Sequence, residues 1–384
     1  MDRAGAPFVV ADQSSVTETA VAPLERSGRT TVRYLTAMVG VIAVVFVGIG
    51  LANYLLNPLD YSEQYTHQVA MDLAAGKNFA NYDPNINIRA LRAEEIRTMT
   101  AAPDVVVLGG SRWQEARANA LTGSRTFFNA HVHNDYTEDA LALVELLDEA
   151  GRLPRTLILS ERFATFEPLS QRDSQEWIAW APEYRRMAQR LGIPQDPILQ
   201  TLPTAQIAGV FSAPALFDRI RQVVVKHDTP QATTATQLGD LDIFAADGSL
   251  HWSRQNIAAY SPAFLKNNIR SQLALLEDTT PIVDAGMVTA MTKLIVFLQS
   301  RGVRVVMALT PYQPDFYAAV QGHPYARSLH QIEAVAEGWS RQLGVPLVGS
   351  YDALELGCRP DQFRDILHPT AECLDHVMAQ VPQP

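Results

Sequence analysis

The segment Val105-Val-Val-Leu-Gly-Gly-Ser-Arg112 is the part of the sequence that decides the fold. Four consecutive apolar residues, three of them β-branched, are typical of a strand that is buried on both faces of a parallel sheet. The two glycines that follow let the backbone turn sharply, and Ser111 then stands where a helix should begin. Ligands bind at this carboxyl edge of the strands in open α/β sheets. The segment therefore predicts a buried strand whose end presents Gly110, Ser111 and Arg112 to a ligand site.

The same residues also allow a purely structural interpretation. Ser111 and Gln114 form the Ser-x-x-Gln pattern of a helix capping box, which needs no catalytic role. A phosphate-binding loop is excluded, because the segment lacks the Gly-Lys-Ser/Thr ending of that motif. Taken alone, the segment leaves open whether Ser111 reacts with a substrate or caps a helix.

Short apolar runs alternate with amphipathic helical stretches along the rest of the chain. The predicted strands are 105–108, 126–132, 156–159, 303–309 and 346–348. The predicted helices are 112–121, 139–150, 284–301 and 328–343, with a last helix after Pro369. This alternation is typical of a parallel sheet with helices on both faces. We therefore expect an α/β protein whose residues 104–384 form a flavodoxin-like three-layer α/β/α sandwich with about five parallel strands.

Two further regions are assigned from their length and pattern. Residues 163–283, between the third and fourth predicted strands, are too many for an ordinary crossover. Helical patterns at 176–191 and 204–226 predict a helical insertion that forms a lid or cap, with a polar loop at 229–237; a second small domain is the alternative. Residues 59–103 predict a helical linker that leads into the α/β domain.

The N-terminal region predicts a membrane anchor. Residues Tyr34–Pro58 contain no charged side chain and are long enough to span a bilayer. Three arginines lie just before this run and two acidic residues just after it, so the positive-inside rule puts the N-terminus in the cytoplasm. Residues 1–33 then form a disordered cytoplasmic tail, and the chain from about residue 60 faces outward. A cleaved signal peptide and a buried core helix are the alternatives.

Composition narrows the class of protein and its partners. The chain has 384 residues, of which 47% are hydrophobic and 19% charged, as expected of a folded globular body. Its 41 acidic and 31 basic residues give a formal net charge of -10. We therefore expect no nucleic-acid partner, because binding to a phosphate backbone requires clustered Lys and Arg.

A second motif lies near the C-terminus, in Phe363-Arg-Asp-Ile-Leu-His-Pro-Thr370. Asp365 and His368 are three residues apart, and Pro369 suits the first turn of a helix. A turn of this spacing can bring the carboxylate onto one imidazole nitrogen, so that the other nitrogen can take a proton from a serine. The alternative is an ordinary polar turn that caps the last helix.

The two cysteines, Cys358 and Cys373, lie on either side of this motif and far from the apolar run. The outward topology favours a disulfide between them over two buried free thiols. In the chain-entropy model, closing a loop of this size stabilises the fold by about 3 kcal/mol. A metal site is not expected, because no second pair of ligands stands at zinc spacing.

Together the two motifs resemble the SGNH (GDSL-like) hydrolases, in which a serine follows the first strand and Asp-x-x-His precedes the last helix. The resemblance covers roughly residues 104–381 and is strongest to the membrane-anchored SGNH-like proteins of bacterial envelopes, which are related to proteins of polysaccharide O-acetylation and D-alanylation. It implies that Ser111 is the nucleophile, that His368 is the general base and acid, and that Asp365 orients the imidazole. It also implies that the Ser111 N–H is one oxyanion donor.

The sequence departs from the pattern of that family in the groups that would complete the oxyanion hole. Gly-Gly-Ser replaces Gly-Asp-Ser, the glycine of the family's second block falls at Asn134, and Ser160-Glu-Arg162 stands where the third block would be. Arg112 and Arg162 are candidate substitutes for the missing donors. Tyr312, at the end of the fourth predicted strand, either bounds the pocket or packs inside the domain.

These observations predict a serine-dependent esterase or O-acyltransferase that acts on a cell-envelope polysaccharide through an acyl-serine intermediate, without a cofactor. The catalytic domain would lie outside the bacterial cytoplasmic membrane, near an acyl donor and a membrane-bound acyltransferase or export partner. The alternative is a non-catalytic, membrane-anchored glycan-binding or scaffold protein with the same fold.

His131 and His133 raise the alternative of a metal site, which lacks further ligands at known spacing. The aromatic residues of the insertion would stack on sugars or, as we favour, form the core of the lid.

Overall fold

The computed structural model of the protein describes residues 25–55, 63–80, 87–121, 125–161, 166, 176–194, 231–234, 241–258, 262–277 and 283–382. Its centre is a five-stranded parallel sheet with the order β3-β2-β4-β8-β9. The strands of this sheet are β2 Val105–Leu108, β3 Phe127–Asn129, β4 Thr156–Glu161, β8 Arg304–Leu309 and β9 Leu347–Gly349. All five were predicted from the sequence, which confirms the α/β class and the parallel sheet.

The strands are apolar throughout because side chains from both faces of the sheet are buried. Val106 and Leu108 point into the larger hydrophobic core, whereas Val105 and Val107 point into a second core on the other face. This is the pattern expected of a parallel sheet with cover on both sides. The alternation holds across the sheet, so the strand register fixes which residues face each layer.

The helices of the described chain lie mostly on the side of the larger core. Their bounds are α1 Glu25–Leu55, α2 Glu63–Ala74, α3 Ile88–Thr98, α4 Thr137–Glu149, α5 Ala181–Leu191, α6 Arg254–Ala258, α7 Pro262–Glu277, α8 Ala285–Ser300, α9 Pro314–Gln321, α10 Ala326–Leu343 and α11 Ala371–Met378. Helices α4, α5, α8 and α10 supply side chains to the larger core. Leu374, Val377 and Met378 of α11 cover the second core.

The prediction of a helix over residues 112–121 is wrong. The structure has two short 3-10 turns instead, Ser111–Trp113 and Ala118–Ala120. Trp113 and Leu121 on this segment pack into the second core. Packing against the sheet and α11 therefore overrides the local helical pattern, which a window of ten residues specifies only weakly.

A second sheet changes the role of the predicted linker. Strand β1 Asn78–Ala80 pairs antiparallel with β5 Gln231–Thr233 and with β6 Ile243–Phe244, and β6 pairs with β7 Leu250–His251. The segment 59–103 is therefore not a purely helical linker, and the insertion 163–283 is not purely helical. Apolar residues of α2 and α3, including Leu73, Leu91 and Ile96, belong to the larger core, so this segment is part of the folded domain rather than a spacer before residue 104.

The described parts of the insertion agree with some of the predictions made for it. Helix α5 and the 3-10 turn Glu176–Trp180 before it match the predicted helix at 176–191. Residues 231–233 form a strand where a loop was predicted. The helices predicted at 204–226 lie outside the described residues.

Helix α1 contains a stretch of 22 residues, Thr31–Ala52, that is long and apolar enough to cross a membrane, with Arg33 as its single charged residue. The described helix begins at Glu25, nine residues before the predicted anchor, and no proline interrupts it. The length, composition and N-terminal place of α1 are those of a membrane span or of a signal sequence.

Candidate active site

The turn after β2 places Ser111 at the carboxyl edge of the parallel sheet. Gly109 is required there, since an added Cβ would lie 2.8 Å from the Ser160 Cβ on the neighbouring strand. Two hydrogen bonds hold the turn: the Trp113 indole N–H donates to Thr310 Oγ1 at 2.6 Å, and Thr310 Oγ1 lies 3.0 Å from Ser160 Oγ. The ends of β2, β4 and β8 are thereby tied together beneath the serine.

Ser111 does not cap a helix. Gly110, with an extended backbone, occupies the cap position of the 3-10 turn, and no side chain makes the capping hydrogen bond. The Ser111 hydroxyl instead lies 2.9 Å from Nε2 of His368, a residue 257 positions away along the chain. The capping-box interpretation is therefore wrong, and the two sequence motifs meet in space.

The segment that carries His368 is organised by the carboxylate of Asp365. Asp365 Oδ1 accepts hydrogen bonds from the backbone N–H groups of Leu367 and His368, at 2.8 and 2.9 Å. Asp365 Oδ2 lies 2.7 Å from Nδ1 of the His368 ring. This carboxylate thus shapes the turn and orients the imidazole at the same time.

The ionisation of Asp365 decides the tautomer of the histidine. Burial alone would raise the pKa of Asp365. The hydrogen bond and charge of His368, together with the two backbone N–H groups, have the larger effect and lower the pKa of Asp365 below its ordinary value. An ionised carboxylate can only accept, so Nδ1 of His368 carries the proton. In the neutral ring Nε2 is then the acceptor, and the Ser111 hydroxyl donates to it. This is the arrangement in which an imidazole acts as general base toward a serine.

Cys358 and Cys373 lie at disulfide distance, with their sulfurs 2.06 Å apart. Both are buried in a small cluster with Ala353 and Phe363. The closed loop contains Asp365 and His368, so the disulfide ties both ends of the histidine-bearing segment to each other.

Arg112 braces the serine turn through Nε and Nη2, and its buried Nη1 has no hydrogen-bond partner among the described residues. Its Nε donates to the Leu367 carbonyl at 3.2 Å, and its Nη2 donates to the carbonyls of Thr310 and of Pro311, the latter at 2.9 Å. The guanidinium also stacks 3.7 Å above the ring of Tyr312. Because these nitrogens already bind main-chain carbonyls, Arg112 joins the nucleophile turn to the end of β8 and to the residue before His368.

Asn134 lies in the turn that follows β3. A hydrogen bond of 3.0 Å from the Val132 N–H to the Gly109 carbonyl extends the pairing of β2 and β3 beyond both strands. The next residues, His133 and Asn134, therefore follow at the same edge of the sheet as the serine turn. Asn134 has a left-handed backbone, with φ of 49°, in the position where the sequence pattern expects a glycine. The N–H groups of Ser111 and Asn134 donate to no residue that the structure describes.

Two of the predicted site residues, Arg162 and Tyr312, remain. Arg162 lies outside the described residues. Tyr312 is buried at 1% exposure and packs against Phe316 and Tyr351, so it belongs to the interior rather than to the pocket rim.

His131 and His133 do not form a metal site. His131 is fully buried, and its Nδ1 lies 3.0 Å from the guanidinium of Arg92. Burial, with the nearby Arg92 charge, holds the pKa of His131 well below its ordinary value. Within the described ranges, no group of three or more His, Cys, Asp or Glu side chains could hold a metal ion.

The aromatic residues of the insertion are mostly interior. Trp177, Trp180 and Tyr184 are buried in the larger core, as expected of lid core rather than of a sugar-stacking surface. Trp252 instead stacks at 3.6 Å against the guanidinium of Arg364, next to Asp365.

A second serine–histidine contact shows why proximity alone is insufficient. Ser249 Oγ lies 3.1 Å from His251 Nε2, but the Ser249 hydroxyl donates to Asp247 Oδ1 at 2.6 Å. Its single proton is therefore committed to the carboxylate, and His251 cannot act as its base. Ser249 is also fully buried, whereas Ser111 is partly exposed.

The sequence did not reveal every residue that organises the site. Arg89 and Arg92 of α3 bind the carbonyls of His133 and His131, at 2.9 and 3.1 Å. The sequence predicts only a linker for the segment in which these two arginines lie. Asn129 donates its side-chain amide to the carbonyls of the serine turn, including that of Trp113 at 2.8 Å. Asn129 stands at the end of β3, at the carboxyl edge where ligand sites form in open α/β sheets.

No protein-family model and no curated protein sequence matches the chain. Its function therefore has to be inferred from the site itself.

Proposed function

We propose that this protein is a serine-dependent esterase or O-acyltransferase of the SGNH type, acting on ester groups of a cell-envelope polysaccharide. The observation that carries the proposal is the continuous line of hydrogen bonds from Ser111 Oγ to His368 Nε2 and from His368 Nδ1 to Asp365, at 2.9 and 2.7 Å. This combination of base and orienting carboxylate activates a serine nucleophile.

In the proposed reaction, Ser111 Oγ attacks the ester carbonyl while its proton passes to His368 Nε2. The N–H groups of Ser111 and Asn134 stabilise the negative oxygen that forms. Collapse of the intermediate breaks the ester bond, and His368 returns the proton to the departing alkoxide. Water or a sugar hydroxyl then attacks the acyl-serine, with His368 again taking and returning a proton, which releases an acid or a new ester.

The fold is consistent with membership of the SGNH superfamily. The five strands follow the order 2-1-3-4-5 in the sheet, which is the order of flavodoxin-like doubly wound proteins. Ser111 follows the first strand of this sheet, and Asp365 and His368 stand directly before the last helix. Asn134, which stands where the family has a glycine, takes a left-handed backbone, and Arg112, a candidate substitute donor, braces the serine turn.

The proposed location is the outer side of the bacterial cytoplasmic membrane. Helix α1 would be the anchor, with the arginines before its apolar stretch on the cytoplasmic side. The disulfide between Cys358 and Cys373 suits an oxidising compartment. A tether of this kind would raise the effective concentration of the site near a membrane-bound acyl donor, acyltransferase or polymer-export partner.

A fluorophosphonate probe tests the proposal on the full chain in detergent. We expect stoichiometric labelling at Ser111 that is lost in Ser111→Ala and in His368→Ala. Ser249→Ala is the matched control, because Ser249 also touches a histidine, and it should label like the wild type. A folded protein that the probe does not label would overturn the proposal in favour of a non-catalytic glycan-binding or scaffold role.

Hydrolysis and transfer are separated by a second measurement. Turnover of an acetyl ester with and without an added polysaccharide acceptor shows whether the acyl group appears as free acid or on the sugar. A transferase should increase ester formation on the polysaccharide at the expense of acetate, whereas a hydrolase should be indifferent to the acceptor.

A further inference from the structure

Arg89 lies in α3, outside the α/β sandwich, yet it reaches the edge of the sheet beside Ser111. Its side chain is 2% exposed. Nε and Nη2 bind the two carboxylate oxygens of Asp139 at 2.8 and 2.9 Å, and Nη1 binds Glu176 Oε2 at 2.7 Å. Burial disfavours the charge, but the two carboxylates outweigh it and raise the pKa of Arg89, so the guanidinium stays ionised.

This guanidinium also controls the backbone of the turn that holds Asn134. Arg89 Nη2 has two N–H groups. One binds Asp139 Oδ2, and the other is shared between two consecutive carbonyls, those of His133 at 2.9 Å and Asn134 at 3.3 Å. Asp139, which binds Arg89, accepts the Tyr136 N–H at 3.0 Å and so fixes the far end of the same turn. With both carbonyls drawn toward Arg89, the left-handed conformation of Asn134 is enforced from outside the turn rather than by a glycine.

The held turn lies next to the proposed reaction centre. The hydrogen bond from the Val132 N–H to the Gly109 carbonyl brings the start of this turn to the end of β2, two residues before Ser111. Burial lowers the pKa of His133, and the charge of His368 makes a smaller contribution in the same direction. A displacement of this turn would therefore move the proposed oxyanion donor and leave the hydrogen bond between Ser111 and His368 in place.

Stability alone is a weak explanation for the network. Removing two charges from water costs several kcal/mol, and a buried ion pair is often no more stabilising than apolar packing in its place. A guanidinium does offer what apolar packing cannot, which is planar, directional donation to a carboxylate and to two carbonyls at once.

We propose that Arg89 is a positioning residue that sets the Asn134 N–H as the second oxyanion donor, and that α3 and Glu176 are thereby part of the catalytic unit. This inference rests on the proposed acyl-transfer function. It assigns a role in catalysis to α3, in the segment between the apolar N-terminal helix and the sandwich. Glu176, in the insertion, supports the same turn because it binds Arg89.

The test compares Arg89→Lys with wild type in the full-length protein, using p-nitrophenyl acetate and a fluorophosphonate. A lysine keeps the charge but cannot bind Asp139 and the two carbonyls together. We expect kcat to fall by about 10²–10³-fold, the range for loss of one oxyanion donor, with KM changed by less than about threefold. The rate of phosphonylation should fall in parallel, because that reaction also builds charge on an oxygen in the hole.

The end point of labelling separates positioning from folding. If Arg89 only stabilised the fold, the fraction of molecules labelled at saturation would fall and the rate per labelled site would not. We expect the reverse, with full labelling that is slow. Arg190→Lys is the matched control, because Arg190 also bridges to carboxylates of α4, those of Glu145 and Asp148 at 2.6 and 2.5 Å, but lies away from the turn; it should leave kcat unchanged.

A second variant covers the case in which Arg89→Lys does not fold. Glu176→Gln weakens one anchor of Arg89 at a side chain that is 49% exposed, and it should lower kcat by about three- to tenfold without loss of labelling stoichiometry. Wild-type kcat in either folded variant would overturn the role of Arg89. An inert wild-type protein would instead overturn the proposed function, so the two failures are distinguishable.

Discussion

Replacement of Glu115 by glutamine should stabilise the protein in a strongly pH-dependent way. Glu115 stands in the segment just after the serine turn and is 3% exposed. Its Oε2 accepts the Ala371 N–H at 3.1 Å, at the start of α11, and Arg117 is its nearest cation at 3.6 Å. Burial, only partly offset by Arg117 and the backbone N–H, raises the pKa of Glu115 from 4.5 to about 7.

The sign of the effect follows from proton linkage. Between pH 4.5 and about 7 the folded state holds a proton that the unfolded state has lost, so the stability that this group contributes is present below pH 4.5 and is lost as pH rises through about 7. At pH 8 the cost of the buried carboxylate is about 3 kcal/mol, and at pH 5 about 1 kcal/mol. Glutamine keeps an acceptor for the Ala371 N–H and does not ionise. The gain of Glu115→Gln over wild type should therefore grow by about 2.5 kcal/mol from pH 5 to pH 8.

Chemical denaturation of the full chain in detergent, followed by tryptophan fluorescence at the two pH values, measures this difference. Thermal melts should show an added gain of roughly 5 °C at pH 8. Glu337→Gln is the control, because Glu337 lies on the exposed side of α10, and it should change stability by less than about 0.5 kcal/mol at either pH. A gain for Glu115→Gln that is equal at pH 5 and pH 8 would refute the reasoning.

Three further predictions concern the histidine segment and the turn at Gly248. Asp365→Asn should lower kcat for ester hydrolysis by roughly 10⁴-fold in a folded protein, because an amide does not hold the Nδ1–H tautomer, as in the Ser-His-Asp template; a loss below tenfold would contradict this role. Cys358→Ser should reduce the free energy of unfolding by about 3 kcal/mol in denaturant titrations, since the disulfide with Cys373 closes the loop around His368; unchanged stability would count against it. Gly248→Ala should cost more than about 2 kcal/mol, because its Cβ would lie 2.4 Å from the Asn129 carbonyl at a φ of 81°; a neutral substitution would show that the turn relaxes freely.

Local patterns were sufficient for the sheet. The run of four apolar residues before Gly109 coincides with β2, and the other four strands of the parallel sheet appear where apolar runs were found. A buried parallel strand is continuously apolar because both of its faces are covered, so this signal is contained in a few adjacent residues. The same is true of Asp365 and His368, whose spacing alone brings the carboxylate to the ring.

The second sheet and the conformation of the serine turn could not be predicted from local sequence patterns. β1 pairs with β5 and β6, which are more than 150 residues away, and strands of two or three residues leave no periodic signature. The segment 112–121 has a helical pattern, but Trp113 and its hydrogen bond to Thr310 hold it in short turns. Tertiary contacts outweigh weak local propensity at such positions.

By itself, the sequence determined the α/β class, the apolar N-terminal helix, and the two motifs that hold Ser111, Asp365 and His368. Only the tertiary structure decided that Ser111 faces His368 across 257 residues, that Arg112 binds carbonyls, and that Arg89 holds the turn at Asn134. The physical reason is that a strand or a tight turn forms from the chemistry of neighbouring residues. The direction of a guanidinium or a hydroxyl depends on which distant carbonyls and rings the packed core brings within hydrogen-bond distance.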